Sequence, residues 1–130
     1  MNAAREELRL SLLAVHVSVC RLDTESKIPD WAVESGFFSV TRTTEELSVV
    51  CPEGSVPEDV RCEGGWRVLK LEGPFGFSEV GVLVSVAGPL AGAGVSVFAV
   101  STYDTDYVLV KEEQLRPAVA ALRGRGHEVS

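Results

Sequence analysis

The sequence predicts an α+β protein, built as two ferredoxin-like (βαββαβ) repeats of which the first is truncated, packed into one compact unit. Three observations predict it. The second half reads in the order strand, helix, strand, strand, helix, strand, which folds as an antiparallel sheet with two helices on one face. Valines alternate with polar residues in the first convincing strand, the period of a sheet with one buried face. A hairpin pattern occurs once in each half of the chain. At 130 residues the chain is one domain, or two very small ones that share a core.

The first strand is expected from Leu13 to about Arg21, where Val15, Val17 and Val19 alternate with His16, Ser18 and Cys20. "TESKIPDW" breaks it, and Pro29 suits the start of a short helix closed by Gly36. "FFSVTRT" and "LSVV" read as two strands joined by "TTEE". The Pro- and Gly-dense "PEGSVPEDVRCEGG" is a loop with room for one helical turn, and the best internal boundary. It divides a first repeat at 8–64 from a second at 65–130.

"WRVLKLEG" opens the second half as a strand, and "GPFG" turns the chain. The valines from Val80 to Val86 fit either a strand or a helix. Ser78 is a suitable N-cap, Glu79 suits the positive end of the helix dipole, and a strand of this length is unusual. A helix over 78–93 is therefore expected, kinked at Pro89, with Val80, Leu83, Val84, Ala87, Leu90 and Ala91 as its apolar face. Gly81, Ser85, Gly88 and Gly92 form a small-residue stripe that would let another backbone approach. "VSVFAV" and "YVLV" are strands around the turn "STYDTD". "EEQLRPAVAALRGRG" is a helix ending at Gly124 or Gly126, with Leu115, Val119 and Leu122 on one face, and "HEVS" is a last short strand.

Phe38–Glu53 aligns without a gap on Phe98–Glu113. Phe38 meets Phe98, Val40 meets Val100, Glu46 meets Asp106 and Val50 meets Val110. The shared pattern is apolar strand, hydroxyl residue, polar turn ending in an acid, apolar strand. Where the second copy has helices, the first has short Pro- and Gly-containing segments, so it needs the other copy to complete a core.

Charge and motifs exclude several functions. A net charge of −7 argues against nucleic acid, which needs a basic face. No basic amphipathic run suggests a membrane surface, and the longest apolar stretch carries five glycines and prolines without basic anchors. The N-terminal apolar run follows acidic residues and is interrupted by Arg9 and His16, unlike a secretory signal. Three cysteines without a C-x-x-C pair fit buried thiols in a reducing cytoplasm. His16 and His127 lack the closely spaced partners of a zinc site. No nucleophile elbow, P-loop or dinucleotide fingerprint is present, so no catalytic residue, metal or cofactor is assigned.

The stretch "GFSEVGVLVSVAGPLAGAGVSVFAVSTYDTDYVLVKEEQL" resembles an ACT domain, more narrowly the ACT pairs of the CASTOR family of cytosolic arginine sensors and their short bacterial relatives. "GFFSVTRTTEELSVVC" followed by "WRVLKLEG" resembles the first repeat of that family. The resemblance implies tandem ACT repeats and a regulatory role in sensing an amino acid between them. It places ligand-binding positions at Gly76, Phe77, Glu79, Thr102, Tyr103 and Asp106. The chemistry agrees. Gly76 permits close backbone approach, Glu79 and Asp106 suit an ammonium or guanidinium, and Tyr103 suits stacking. Asp104 and Asp106 are equally ordinary turn residues. The animal sensors hold four ACT repeats where this chain holds two, so an inter-repeat pocket would call for a homodimer.

The expected function is a non-catalytic, cytoplasmic regulatory module that binds an amino acid or similar small metabolite and acts through a homodimer or a protein partner. The alternative is a structural, protein-interaction ACT protein whose pocket has degenerated.

Overall fold

The computed structural model describes residues 7–34, 36–76 and 80–130. Among them are seven strands: β1 Arg9–Leu22, β2 Ser39–Arg42, β3 Leu47–Pro52, β4 Cys62–Leu71, β5 Phe98–Ser101, β6 Asp106–Lys111 and β7 Glu128–Val129. The α-helices are α1 Val82–Gly92 and α2 Leu115–Gly124. Two compact units result, one of 1–14 with 67–130 and one of 15–66, so β1 and β4 each contribute residues to both. The fold class is mixed α and β, as expected.

In the larger unit β4, α1, β5, β6, α2 and β7 follow in the expected order. The sheet is not the simple four-stranded antiparallel one, however. The start of β1 lies between β4 and β7, and β7 pairs with it in parallel, Arg9 opposite Glu128 and Leu10 opposite Val129. The Glu72 amide donates to the Arg9 carbonyl on the other side at 2.8 Å. This explains why β1 begins four residues before the expected Leu13: its partners are remote in sequence.

The core of this unit is formed by Leu10, Leu69, Leu71, Val108 and Val110 from the strands and Val86, Leu90, Ala118 and Leu122 from the helices. Leu115 and Val119 pack against it, as the α2 pattern predicts. The phase of α1 differs from expectation. Val82, Ser85, Val86 and Leu90 are buried, whereas Val80 and Val84 are 78% and 56% exposed. A helix apolar on every side carries little phase information. Its N-cap is Gly81 in the left-handed region at φ +80°, not Ser78, which lies outside the described residues. Gly88 and Gly92 face open space, whereas Ser85 of the same expected stripe is buried, so the four do not form one continuous contact face.

Pro89 lies inside α1 and has no amide hydrogen for the Ser85 carbonyl, its regular partner one turn back. The ring of buried His127 supplies that donor: its Nε2 lies 2.9 Å from the Ser85 oxygen. The Leu8 amide donates to Nδ1 at 3.0 Å. An amide can only donate, so Nδ1 accepts and the hydrogen sits on Nε2. His127 thus joins α1 to the chain just before β1.

In the smaller unit β3 pairs antiparallel with β1 and with β2. Cys20, Leu47, Val49, Cys51 and Ala32 form its core, with Trp31, Val40, Val56 and Val60 against it. The expected short helix after Pro29 is a single 3₁₀ turn, Asp30–Ala32, and another, Glu53–Ser55, begins the Pro/Gly segment. The end of that segment is strand rather than loop, since β4 starts at Cys62. Gly65 sits at φ +77° there, the left-handed conformation that lets a strand bulge.

Candidate functional site

In the larger unit the loop leaving β4 meets the turn joining β5 to β6. The Phe75 amide donates to the Asp104 carbonyl at 2.9 Å, and the buried Thr105 hydroxyl donates to the Leu71 carbonyl at 2.6 Å. Thr102 shapes the turn itself: its amide and hydroxyl donate to the Thr105 carbonyl, at 2.8 and 3.0 Å, and the hydroxyl also accepts from the Thr105 amide. This self-contained Thr-centred turn is a local alternative to further strand pairing.

These contacts enclose a crevice of about 220 Å³ lined by Phe75, Gly76, Val82 and residues 101–106. Four of the expected site residues, Gly76, Thr102, Tyr103 and Asp106, therefore lie together. Phe77 and Glu79 fall outside the described residues. Asp106 is half-buried, and its Oδ1 accepts from the Ser101 hydroxyl at 2.5 Å. Tyr103 is exposed at the rim. Sequence reasoning missed Phe75, Val82, Ser101 and Thr105. For Thr105 the signal was present, a hydroxyl at the end of a four-residue turn, but its acceptor lies on β4, far away in sequence.

The crevice is small beside the roughly 300–1,000 Å³ of drug-sized sites. It offers the carboxyl side chains of Asp104 and Asp106, a glycine, and the first turn of α1, whose Gly81 N-cap has no side chain of its own. Charge and amide donors in that arrangement suit a small molecule that carries both a cation and an anion.

The thiols sit elsewhere, in the smaller unit. Cys20 and Cys51 are buried as expected, but Cys62 is exposed. Burial pushes the Cys20 thiol up to about 12, and the neighbouring Cys51 and Cys62 add to this; burial likewise raises Cys51. A thiol-specific reagent at pH 8 is expected to modify Cys62 alone in the native protein and all three cysteines after unfolding, because the thiolate is the nucleophile. Stability should be full below the ordinary thiol value of 9.0 and fall as pH rises towards 12, since the unfolded chain releases these protons first.

An α/β sheet carrying two helices, with a small polar crevice where the exit of one strand meets a hairpin turn, defines the class of the larger unit. A family model described as "ACT domain" matches residues 61–124, and a second model, of an N-terminal domain, matches residues 16–59. The chain is similar to the crystal structure of protein Atu0741 from Agobacterium tumefaciens, with 39% identity over 97% of this chain and 94% of that one, at a TM-score of 0.91. This chain belongs to the ACT-domain family. It is 38% identical over 61 residues to "Cytosolic arginine sensor for mTORC1 subunit 1" of Homo sapiens, a match that takes in 46% of this chain but spans only 18% of the sensor. The regulatory subunit of aspartate kinase from Thermus thermophilus shares the fold, at a TM-score of 0.57 and 10% identity over 90% of this chain and 97% of that one. No helix among the described residues is long and apolar enough to cross a membrane.

Proposed function

We propose that this chain is a non-catalytic, cytoplasmic regulatory module that binds an amino acid or a similar small metabolite in the crevice beside Gly76, Thr102, Tyr103 and Asp106. The observation that carries this reading is the convergence of those four residues on one pocket. The Asp106 carboxylate takes the ligand's ammonium or guanidinium, and a charge-assisted bond of this kind is worth about 1.5–3 kcal/mol when shielded from water. The first-turn amides of α1 take the ligand's carboxylate and Tyr103 covers its aliphatic part; Phe77 and Glu79 are proposed as further ligand-binding residues on the family resemblance alone. Similarity to a protein named as an arginine sensor supports the ligand class.

We further read the chain as two ACT-like repeats, 8–64 and 65–130, the first degenerate. The two hairpins support this. In the first, the Thr43 amide and hydroxyl donate to the Glu46 carbonyl and the hydroxyl accepts from the Glu46 amide, the pattern Thr102 makes with Thr105. Matching the turns aligns Arg42–Leu47 with Ser101–Asp106 as closing pairs. That is one residue off the gapless sequence alignment, which matched Glu46 to Asp106. A ligand shifts an equilibrium only through differential affinity for two states, and we assign the second state to a homodimer or a protein partner.

Thermal unfolding with each common amino acid tests the proposal. One or two should raise the melting temperature, by an amount equivalent to about 2.7 kcal/mol at a hundred times Kd. Asp106→Asn, which keeps an acceptor for Ser101 but removes the charge, should lose that response. If no amino acid stabilises the protein, the reading gives way to a structural interaction module with a degenerate pocket.

A further inference from the structure

The smaller unit has its own meeting of strand-exit loop and hairpin turn, and its chemistry is inverted. The Thr24 hydroxyl after β1 donates to the Thr43 carbonyl in the turn, tying the two segments together much as Phe75 and Asp104 do in the larger unit. At the closing position, where the larger unit has Ser101 opposite the half-buried acid Asp106, the smaller has Arg42 opposite Leu47, which is wholly buried in the core. No carboxylate stands at the acid's position. Instead, Arg42 reaches from β2 onto the loop: its Nη1 donates to the Thr24 carbonyl and its Nη2 to the Ser26 carbonyl at 2.8 Å. Beside the guanidinium is an open crevice of about 680 Å³, lined by the hydroxyl residues Thr24, Ser26, Thr43 and Thr44 together with Glu25 and Lys27.

We propose that this crevice is a guanidinium-recognition site that the chain fills with its own Arg42, and that it becomes a binding site for free guanidinium-bearing small molecules once that side chain is removed. Two backbone carbonyls, two residues apart on one loop, present acceptors to the two outer nitrogens of one planar group. A guanidinium offers paired donors at fixed spacing, whereas an ammonium is a single point of charge that cannot meet both acceptors in the same plane. The carbonyls belong to the backbone and remain when the arginine side chain is cut away. The open volume beside Arg42 gives a small molecule access. Glu25 at the rim favours a cation and Lys27 opposes one, so the carbonyl pair must supply the selectivity. The inference does not depend on a ligand in the larger unit.

Chemical rescue in the full-length protein tests it. Arg42→Ala should lower the melting temperature by about 3–6 °C, and millimolar ethylguanidinium should restore about 2–4 °C of that loss. Ethylammonium at the same concentration should restore none, and the wild type should not respond to ethylguanidinium. Arg42→Lys should melt with the alanine variant rather than with the wild type. Rescue should persist in Arg42→Ala/Asp106→Asn, which removes the carboxylate proposed to bind a cation in the other crevice. The proposal is overturned by absent rescue, by equal rescue with ethylammonium, by an equal shift in the wild type, by a fully stable Arg42→Lys, or by rescue that disappears with the Asp106 charge.

Discussion

Replacing His127 with alanine is expected to destabilise the protein by about 3–5 kcal/mol, because it strips partners from two backbone groups at once. The Leu8 amide loses its acceptor and the Ser85 carbonyl loses the donor that stands in for the one Pro89 lacks. His127 is 5% exposed, so water cannot readily replace the ring, and each orphaned buried group costs about 1–3 kcal/mol. Urea denaturation of His127→Ala, Pro89→Ala and the double variant measures this directly. Alanine at position 89 restores an amide hydrogen pointing at the Ser85 carbonyl, so the histidine should matter less in that background, with a coupling of about 1 kcal/mol. His127→Gln, whose amide can both accept and donate, should recover part of the loss. If His127→Ala costs under about 1 kcal/mol, the ring is not the bridge described here.

The same residue shows which features were legible in the sequence. A lone histidine near the C-terminus gave no zinc signal, and its structural role could not be read because both partners are remote: Leu8 lies |i−j| = 119 away. Part of the strand and turn chemistry was legible where it was local. The strand–turn–strand order of both hairpins and the apolar face of α2 follow from near neighbours, but Glu112 and Glu113 fall in a 3₁₀ turn before α2, and the one-faced alternation read from Val15 to Cys20 gives way to buried Ser18 and Cys20 beside a part-exposed Val19. The phase of α1 was not legible, because its valines satisfy strand and helix patterns on several faces, and packing against Leu69, Leu71 and Val110 chose Val82 and Val86. Nor was the parallel pairing of β7 with β1, which joins the two ends of the chain. The hairpin match between halves was visible but slipped by one residue. In a strand that slip exchanges the buried and exposed faces: it put Glu46 on Asp106, when hydrogen bonding puts it on Thr105. At the candidate site, the grouping of Gly76 with the turn was expected, but the anchor of the turn, Thr105 on the Leu71 carbonyl, was not.

That anchor separates the stability of the fold from the competence of the site, and two variants at the same joint should show it. Leu71→Ala removes a side chain with no exposed surface from the centre of the core, and is expected to cost about 2–5 kcal/mol, depending on how far α1 and β6 close over the void. It leaves the backbone carbonyl, and so the Thr105 bond, in place. Thr105→Val fills nearly the same space but withdraws the hydroxyl donor at 2.6 Å, leaving a buried acceptor unpaired at about 1–3 kcal/mol. Loss of that bond frees the turn to shift against the Phe75 loop, which moves Tyr103 and Asp106 relative to Gly76. If a stabilising amino acid is found, Leu71→Ala should therefore keep the ligand-induced rise in melting temperature from a lower baseline, while Thr105→Val should lose much of that rise despite its smaller effect on stability. Isothermal titration of both variants below their melting transitions gives the decisive comparison. Equal affinities in the two would mean that the turn holds its place without Thr105, and that the crevice owes its shape to the strands alone.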